Sequence, residues 1–372
     1  MPTLPIIRPT LPSLDEFVGM IRPSWESGAV TNGAMVKALE AEACRQTGAR
    51  HAVAMSSCTS GLILVPRALN LPPGGEVIVP SFTFTATAQA LLWNGLVPVF
   101  CDCLPGTCTL DPIDVERNVS PRTVAICAVS IYGLPPDIHP LLEIGRRNGI
   151  PVYFDSAQGL GATYHGQPLG QFGACEVFSL SPTKVVTAVE GGLVTTNDTA
   201  LADRLRSMRD YGRDPVHGED MVDLGLSARM SELHATVGLW SLRRVHEWGK
   251  ARLARIDIYR DRLGALPGCW VQELPEDRTT SGNYFVLFIS GRAKTDRDTV
   301  YKKLQQAGIQ TKRYFHPPVH EQTLFKQWTT RVSSDLAHTD QASREGLALP
   351  LYSHMTLEQL DTVCRAVEET LQ

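Results

Sequence analysis

Four stretches of the 372-residue chain hold residue types that could do chemistry together. Ser56-Ser57-Cys58-Thr59-Ser60-Gly61 sets small hydroxyl side chains and a glycine ahead of a helical run. Free N–H groups and the helix dipole at such a turn suit a phosphate. Plain N-capping by Ser57 or Thr59 accounts for the same residues. Ser81-Phe82-Thr83-Phe84 offers an aromatic after an apolar run, which taken alone reads as core. Asp155-Ser156-Ala157-Gln158 places an acid at the end of another run, either a ligand-binding carboxylate or the cap of the next turn. Ser179-Leu180-Ser181-Pro182-Thr183-Lys184 leads into Glu190-Gly191-Gly192. Lys184 stands between apolar segments. Partial burial there lowers a lysine pKa and favours Schiff-base chemistry. A lysine amine, an acid for a pyridinium nitrogen, an aromatic and a phosphate turn are the parts that pyridoxal phosphate chemistry needs.

The elements that must position these residues are short apolar runs alternating with helical patterns. Strands are predicted at His51–Ser57, Glu76–Ser81, Val97–Cys103, Thr123–Ile131, Pro151–Ala157, Cys175–Ser181 and Gly192–Thr196. Several lack polar alternation, as strands buried on both faces do. Helices are predicted at Leu62–Leu69, Thr85–Asn94, Leu141–Asn148 and Leu201–Tyr211. The alternation implies an α/β fold with a mostly parallel, seven-stranded sheet between helices. Ligands of such sheets bind beyond the carboxyl ends of the strands, where all four stretches fall. After about Gly225 the pattern changes. Ser231–Tyr259 reads as one long connecting helix. A strand at Asn283–Ile289, a helix at Asp296–Ala307 and a helix at Thr356–Leu371 follow, the last with Thr356 and Gln359 as a capping box. The expected division is an N-terminal arm and helix (1–30), a large α/β domain (31–245) and a smaller α+β domain (246–372).

Composition bounds the function. Hydrophobic residues are 43% and charged residues 20%, ordinary globular values. The net charge is −4, without the basic excess of a nucleic-acid binder. The uncharged stretch Val77–Cys101 is broken by Pro80, Gln89, Asn94 and Pro98, which favours strands around a helix over a membrane span. The N-terminus has no signal-peptide pattern, so the expectation is a cytoplasmic protein with reduced thiols. Cys101, Cys103 and Cys108 lack the C-x-x-C spacing of zinc or iron–sulfur sites, and no metal is expected.

Ordered motifs over nearly the whole chain resemble the DegT/DnrJ/EryC1/StrS sugar aminotransferases, pyridoxal-phosphate enzymes of fold type I in the aspartate aminotransferase superfamily. Thr31-Asn32-Gly33 resembles the family's T-x-G, and Ser56–Leu62 its S-S-G-T-x-A-L turn. Pro80–Thr87, PSFTFTAT, is very close to the family pattern. DSAQGLGA at Asp155–Ala162 resembles D-A-A-Q-A-x-G-A. Ser179–Lys184 with Glu190-Gly191-Gly192 matches the lysine motif. GLSARMSE at Gly225–Glu232 resembles G-x-N-x-R-M-x-E, and Pro350–Thr356 the terminal L-P-L-Y-x-x-M-T.

The resemblance implies roles. Lys184 would hold pyridoxal 5′-phosphate covalently and, once released, move the substrate proton. Asp155 would pair with the ring nitrogen, Gln158 would contact the ring hydroxyl side, and Phe84 would stack on the ring. Cys58 (through its backbone), Thr59 and Ser179 would hold the phosphate. Ser227 stands where the family often has an Asn that reaches the partner subunit's cofactor phosphate. His320 matches a family histidine near the substrate, and Arg229, Lys312 and Arg313 are candidate cations for a substrate diphosphate or ordinary surface charges. Cys58 replaces a family Gly, and Phe154 a common acid. A dehydratase branch has His in place of the lysine, so Lys184 favours transamination. The implied reaction moves an amino group from L-glutamate to a keto-sugar, with pyridoxamine 5′-phosphate between the two stages. The usual acceptor is a nucleotide-linked 4-keto-6-deoxyhexose. A keto-cyclitol, another keto-sugar, a non-transaminase reaction and a regulator on the same fold are the alternatives. The family further implies a homodimer with shared active sites.

Overall fold

A computed structural model describes residues 4–214 and 216–371; residues 1–3 of the expected arm lie outside this range. Strands form at all seven predicted runs: β1 (His51–Met55), β2 (Glu76–Pro80), β3 (Val97–Cys101), β4 (Thr123–Val129), β5 (Val152–Asp155), β6 (Glu176–Ser179) and β7 (Gly192–Thr196). Six are shorter than predicted, because the last residues of each run leave the sheet as loop. The order is β1-β7-β6-β5-β4-β2-β3, and a two-residue edge strand, Arg331–Val332, makes the sheet eight-stranded rather than seven. β7 is antiparallel to both β1 and β6, and every other pairing is parallel. β1 to β6 therefore all run the same way, and their carboxyl ends meet along one edge.

Successive strand residues point to opposite faces. Val53, Met55, Val77 and Val79 pack with α3 (Cys58–Ala68), α4 (Ala86–Trp93) and α7 (Thr199–Met208). Ala52, Ala54, Ile78 and Ile126 pack with α2 (Ala34–Thr47), α5 (Pro112–Asn118), α6 (Ile138–Asn148) and α8 (Glu232–Leu242). Both faces are covered, which is why the runs show no polar alternation.

The segment predicted as one helix over Ser231–Tyr259 is two. α8 ends at Leu242, Arg244 leaves helical geometry at φ −112° and ψ 10°, and α9 (Val245–Leu263) sets off from there. α8 packs against α1 (Leu14–Ser27) and α2, whereas α9 packs on a second core. The break lets each helix meet its own partner. That second core joins α9 to an antiparallel sheet of Cys269–Val271, Phe285–Ile289 and Gly346–Leu349 and to the helix Leu357–Leu371. The capping box of that helix forms as predicted: Gln359 N donates to Thr356 Oγ1 at 3.2 Å and Thr356 N to Gln359 Oε1 at 3.0 Å.

Glu232 ties the N-terminal elements to α8. Its fully buried carboxylate accepts from the backbone N–H groups of Gly33, Met35 and Val36 at 2.9, 2.7 and 3.0 Å, and from Ser24 Oγ at 2.9 Å. The N-cap of α2, Gly33, has no side chain to cap with, so Glu232 supplies the acceptor from a distant helix. Glu232→Ala strands three N–H groups at once and is expected to cost about 3–5 kcal/mol. Urea unfolding checks this; a loss below about 1 kcal/mol would mean that water replaces the carboxylate.

All nine cysteines are unpaired, and Cys101, Cys103 and Cys108 are buried. Among the described residues no helix is long and apolar enough to cross a membrane.

Candidate functional site

The loops at the carboxyl edge surround a cavity of about 280 Å³. It is lined by Ser57, Cys58 and Thr59 after β1, Thr83 and Phe84 after β2, and Ser130 after β4. Asp155 at the end of β5 with Gln158 beyond it, and Ser179 at the end of β6 with Lys184 beyond it, complete that side. Seven predicted site residues, Cys58, Thr59, Phe84, Asp155, Gln158, Ser179 and Lys184, thus share one wall system.

Each is held by local structure. Ser57 caps α3: its side chain accepts from Ser60 N at 3.0 Å, and Ser60 Oγ accepts from Ser57 N at 3.2 Å. The capping reading of this turn is correct, and it leaves the first turn of α3 at the cavity wall, where an anion is favoured. β7 passes directly behind. A Cβ at Gly192 would lie 2.6 Å from Cys58 N and from the Ser57 carbonyl oxygen, so this approach requires glycine.

Asp155 is 3% exposed and sits at the floor. Thr87 Oγ1 donates to its Oδ2 at 2.7 Å, and Ala157 N to its Oδ1 at 3.1 Å. Burial raises its pKa, opposed by the Thr87 hydroxyl, the Ala157 N–H and the charge of Lys184. Burial also pulls the Lys184 ammonium below the usual lysine range, against the field of Asp155 and neighbouring groups. Lys184 Nζ lies 5.7 Å from the centre of the Tyr284 ring. Its loop is clamped by Asn283 Oδ1, which accepts from Val185 N at 3.2 Å, and by Ser241 Oγ, which accepts from Thr187 N at 2.9 Å. A lysine held this way is biased toward the free amine, which is the nucleophile and the base.

Phe84 is 57% exposed, more open than a core aromatic. It forms part of the wall between this cavity and a second one of about 330 Å³. Lys312 and Arg313 line the second cavity with Tyr301 and Gln322. Arg313 pairs with Asp298 at 3.4 Å and lies over the Tyr301 ring at 5.0 Å. Lys312 makes no ion pair among the described residues.

The remaining predicted residues fall elsewhere. Ser227 and Arg229 lie outside both cavities of their own chain. Arg229 pairs with Asp210 and lies over the Tyr211 ring at 5.3 Å. His320 lines neither cavity. Its Nδ1 is 2.7 Å from Ser81 Oγ, burial lowers its pKa, and its ligand atom lies within 4.8 Å of those of Glu321 and Asp340.

Sequence reasoning did not single out Thr87, Ser130, Tyr284, Tyr314 or Phe315, all of which contact the site or its acid. Thr87 lies within the quoted PSFTFTAT segment, and Ser130 is the penultimate residue of the predicted strand Thr123–Ile131. Both carried a positional signal. Tyr284 lies in the predicted strand Asn283–Ile289, but nothing tied that strand to the site, and Tyr314 and Phe315 carried no signal.

The lining fits pyridoxal phosphate. Gln158 Oε1 is buried with no partner in the protein, a cost of ~1–3 kcal/mol that a donor on a bound group would remove. The cavity also joins an amine, a carboxylate and a helix N-terminus across its walls.

Comparison with known proteins agrees. The model of the DegT/DnrJ/EryC1/StrS aminotransferase family matches residues 14–368. GDP-perosamine synthase of Caulobacter vibrioides is 35% identical over 327 residues, 87% of this chain and 86% of its own. UDP-N-acetyl-3-dehydro-alpha-D-glucosamine 3-aminotransferase of Acidithiobacillus ferrooxidans is 31% identical over 361 residues, 97% and 95% of the two chains. The crystal structure of DesI with its TDP-sugar product superposes with a TM-score of 0.91 at 33% identity, covering 99% of this chain and 92% of that one.

Proposed function

The chain belongs to the DegT/DnrJ/EryC1/StrS aminotransferase family, and from that premise we propose that it transfers an amino group from L-glutamate to the keto group of a nucleotide-linked sugar. It is a pyridoxal-phosphate-dependent transaminase; the preferred acceptor is a 4-keto-6-deoxyhexose. The observation that carries the reading is the convergence of Lys184, Asp155 and the α3 N-terminus on one cavity. When bound, pyridoxal phosphate supplies a carbonyl for amine exchange and a ring that withdraws electrons from the reacting carbon.

The chain's own residues do the rest. Lys184 Nζ would anchor the cofactor and, once released, would take the proton from the α-carbon of glutamate in the first stage and deliver one to the aminated sugar carbon in the second. Asp155, its carboxylate aimed by Thr87 and Ala157, pairs with the ring nitrogen. Gln158 serves the ring hydroxyl and Phe84 a ring face. The Cys58 and Thr59 backbone at the start of α3, with the Ser179 hydroxyl, holds the phosphate.

The second cavity is the place for the acceptor's diphosphate tail. Lys312 is its best cation, because Arg313 is already engaged with Asp298. Relatives that act on GDP- and UDP-linked sugars support this reading. Ser227 and Arg229 belong to a homodimer interface, where they would reach the partner's cofactor and substrate. Exposed Met221, Val222, Leu224 and Leu226 beside them supply apolar surface for that contact.

Nitrogen-15-labelled L-glutamate and a panel of UDP-, GDP- and TDP-linked keto-sugars test the reaction. Mass spectrometry is expected to find the label on the sugar, and 2-oxoglutarate in equal amount. Failure with every keto-sugar in the panel would overturn the acceptor class; transfer from alanine but not glutamate would overturn the donor.

A further inference from the structure

Behind the cavity, two serines connect its wall to a buried carboxyl. Glu176, at the start of β6, has no exposed surface. Its Oε1 accepts from Gly170 N at 2.5 Å and Phe172 N at 3.1 Å, and its Oε2 accepts from Ser156 Oγ at 2.7 Å. Ser156 Oγ lies 3.3 Å from Ser130 Oγ, and Ser130 lines the cavity. Both serines are buried, at 0% and 1% exposure. Ser156 stands where the family pattern quoted above has alanine, which makes the connection a property of this chain.

A hydroxyl has one proton to donate. The direction of the chain is therefore decided at its carboxyl end. An ionised Glu176 can only accept, so Ser156 donates to it, Ser130 donates to Ser156, and Ser130 turns lone pairs toward the cavity. Protonated on Oε2, Glu176 donates to Ser156 and keeps Oε1 for the two N–H groups. Ser156 is then free to donate to Ser130, and the Ser130 proton turns to the cavity. We propose that Glu176 is a positioning residue of the active site, setting through Ser156 whether Ser130 offers the bound cofactor a donor or an acceptor. The proposal rests on the reading of the cavity as the cofactor site.

Burial pushes the Glu176 carboxyl up to about 7, against the Ser156 hydroxyl and the N–H groups of Gly170, Gln171 and Phe172. The strands beside it bring no compensating cation. On β5 it faces Phe154, and Asp155 opposes Val177 one step on. On β7 it faces Thr195. Its chain neighbour Cys175 is a thiol that burial keeps protonated.

Two variants separate the possibilities. Glu176→Gln donates from Nε2 to Ser156 and keeps Oε1 as acceptor, so it holds the donor setting at every pH. Ser156→Ala cuts the link and leaves Glu176 in place. The first readout is the absorption band of protein loaded with pyridoxal phosphate, from about pH 5 to about pH 9. The second is the infrared carboxyl band of cofactor-free protein carrying carbon-13-labelled glutamate. The wild type is expected to show a spectral step near pH 7 in the first and a carboxyl titrating near pH 7 in the second. Glu176→Gln should lose both, with its absorption band held at the wild type's low-pH position. Ser156→Ala should lose the spectral step and keep the carboxyl titration. A spectral step that survives in either variant, or that is absent from the wild type, overturns the proposal and leaves the cofactor assignment standing. Absence of any cofactor band in the wild type overturns both.

Discussion

Lys184→Ala is expected to lower kcat by about 10⁴-fold or more while the protein stays folded. A positioned acid–base group contributes ~10²–10⁴-fold, and in the proposed reaction the same amine also anchors the cofactor, so the loss reaches the top of that range. The cavity holds no replacement. Among the described residues no other lysine, arginine or histidine lines it. Asp155 is engaged with Thr87 and Ala157 at the floor. The loop around Lys184 is held by backbone bonds to Asn283 and Ser241, not by its ammonium, so removal of the side chain leaves the fold intact. Turnover with saturating glutamate, together with a melting curve, checks this. Activity within about tenfold of the wild type would exclude Lys184 as the proton carrier.

Asp155→Asn is expected to lower kcat by about 10²–10³-fold, the usual loss when one electrostatic stabiliser of a reacting group is removed. The amide keeps the shape and loses the charge that, in the proposed reaction, would hold a proton on the cofactor's ring nitrogen. Its effect on stability runs the other way. The folded pKa of Asp155 is raised by burial. As pH rises, the unfolded chain therefore releases this proton first, and the carboxyl contributes less stability at neutral pH than in acid. Cofactor-free Asp155→Asn should melt at or above the wild type near neutrality, with the gap closing as pH falls through the acid range. A variant that loses activity and stability together would point to a structural role for the carboxylate.

The contrast between these two residues and the others shows what one chain of letters can reveal. Lys184 and Asp155 each sit at the end of an apolar run, and a parallel sheet sends such ends to a common edge. Their meeting followed from local pattern alone. The break at Arg243-Arg244 did not, because neither glycine nor proline marks it and both arginines are good helix formers. It exists because α8 and α9 pack on different cores. Ser227, Arg229 and His320 had motif matches, yet none lines either of the two cavities described above.

The sequence by itself determined the α/β layering, the seven main strands, and the placing of the lysine, the acid and the capped serine turn at the strand ends. Those features rest on periodicity and on residues a few positions apart. The tertiary structure decided which residues close over them. Tyr284, Tyr314 and Phe315 arrive from the second half of the chain to pack with Phe82 and Tyr132, Glu232 caps a helix about two hundred residues away, and Glu176 reaches Ser130 through Ser156. Contacts of that span depend on how finished elements pack against one another, and packing leaves no trace in local spacing.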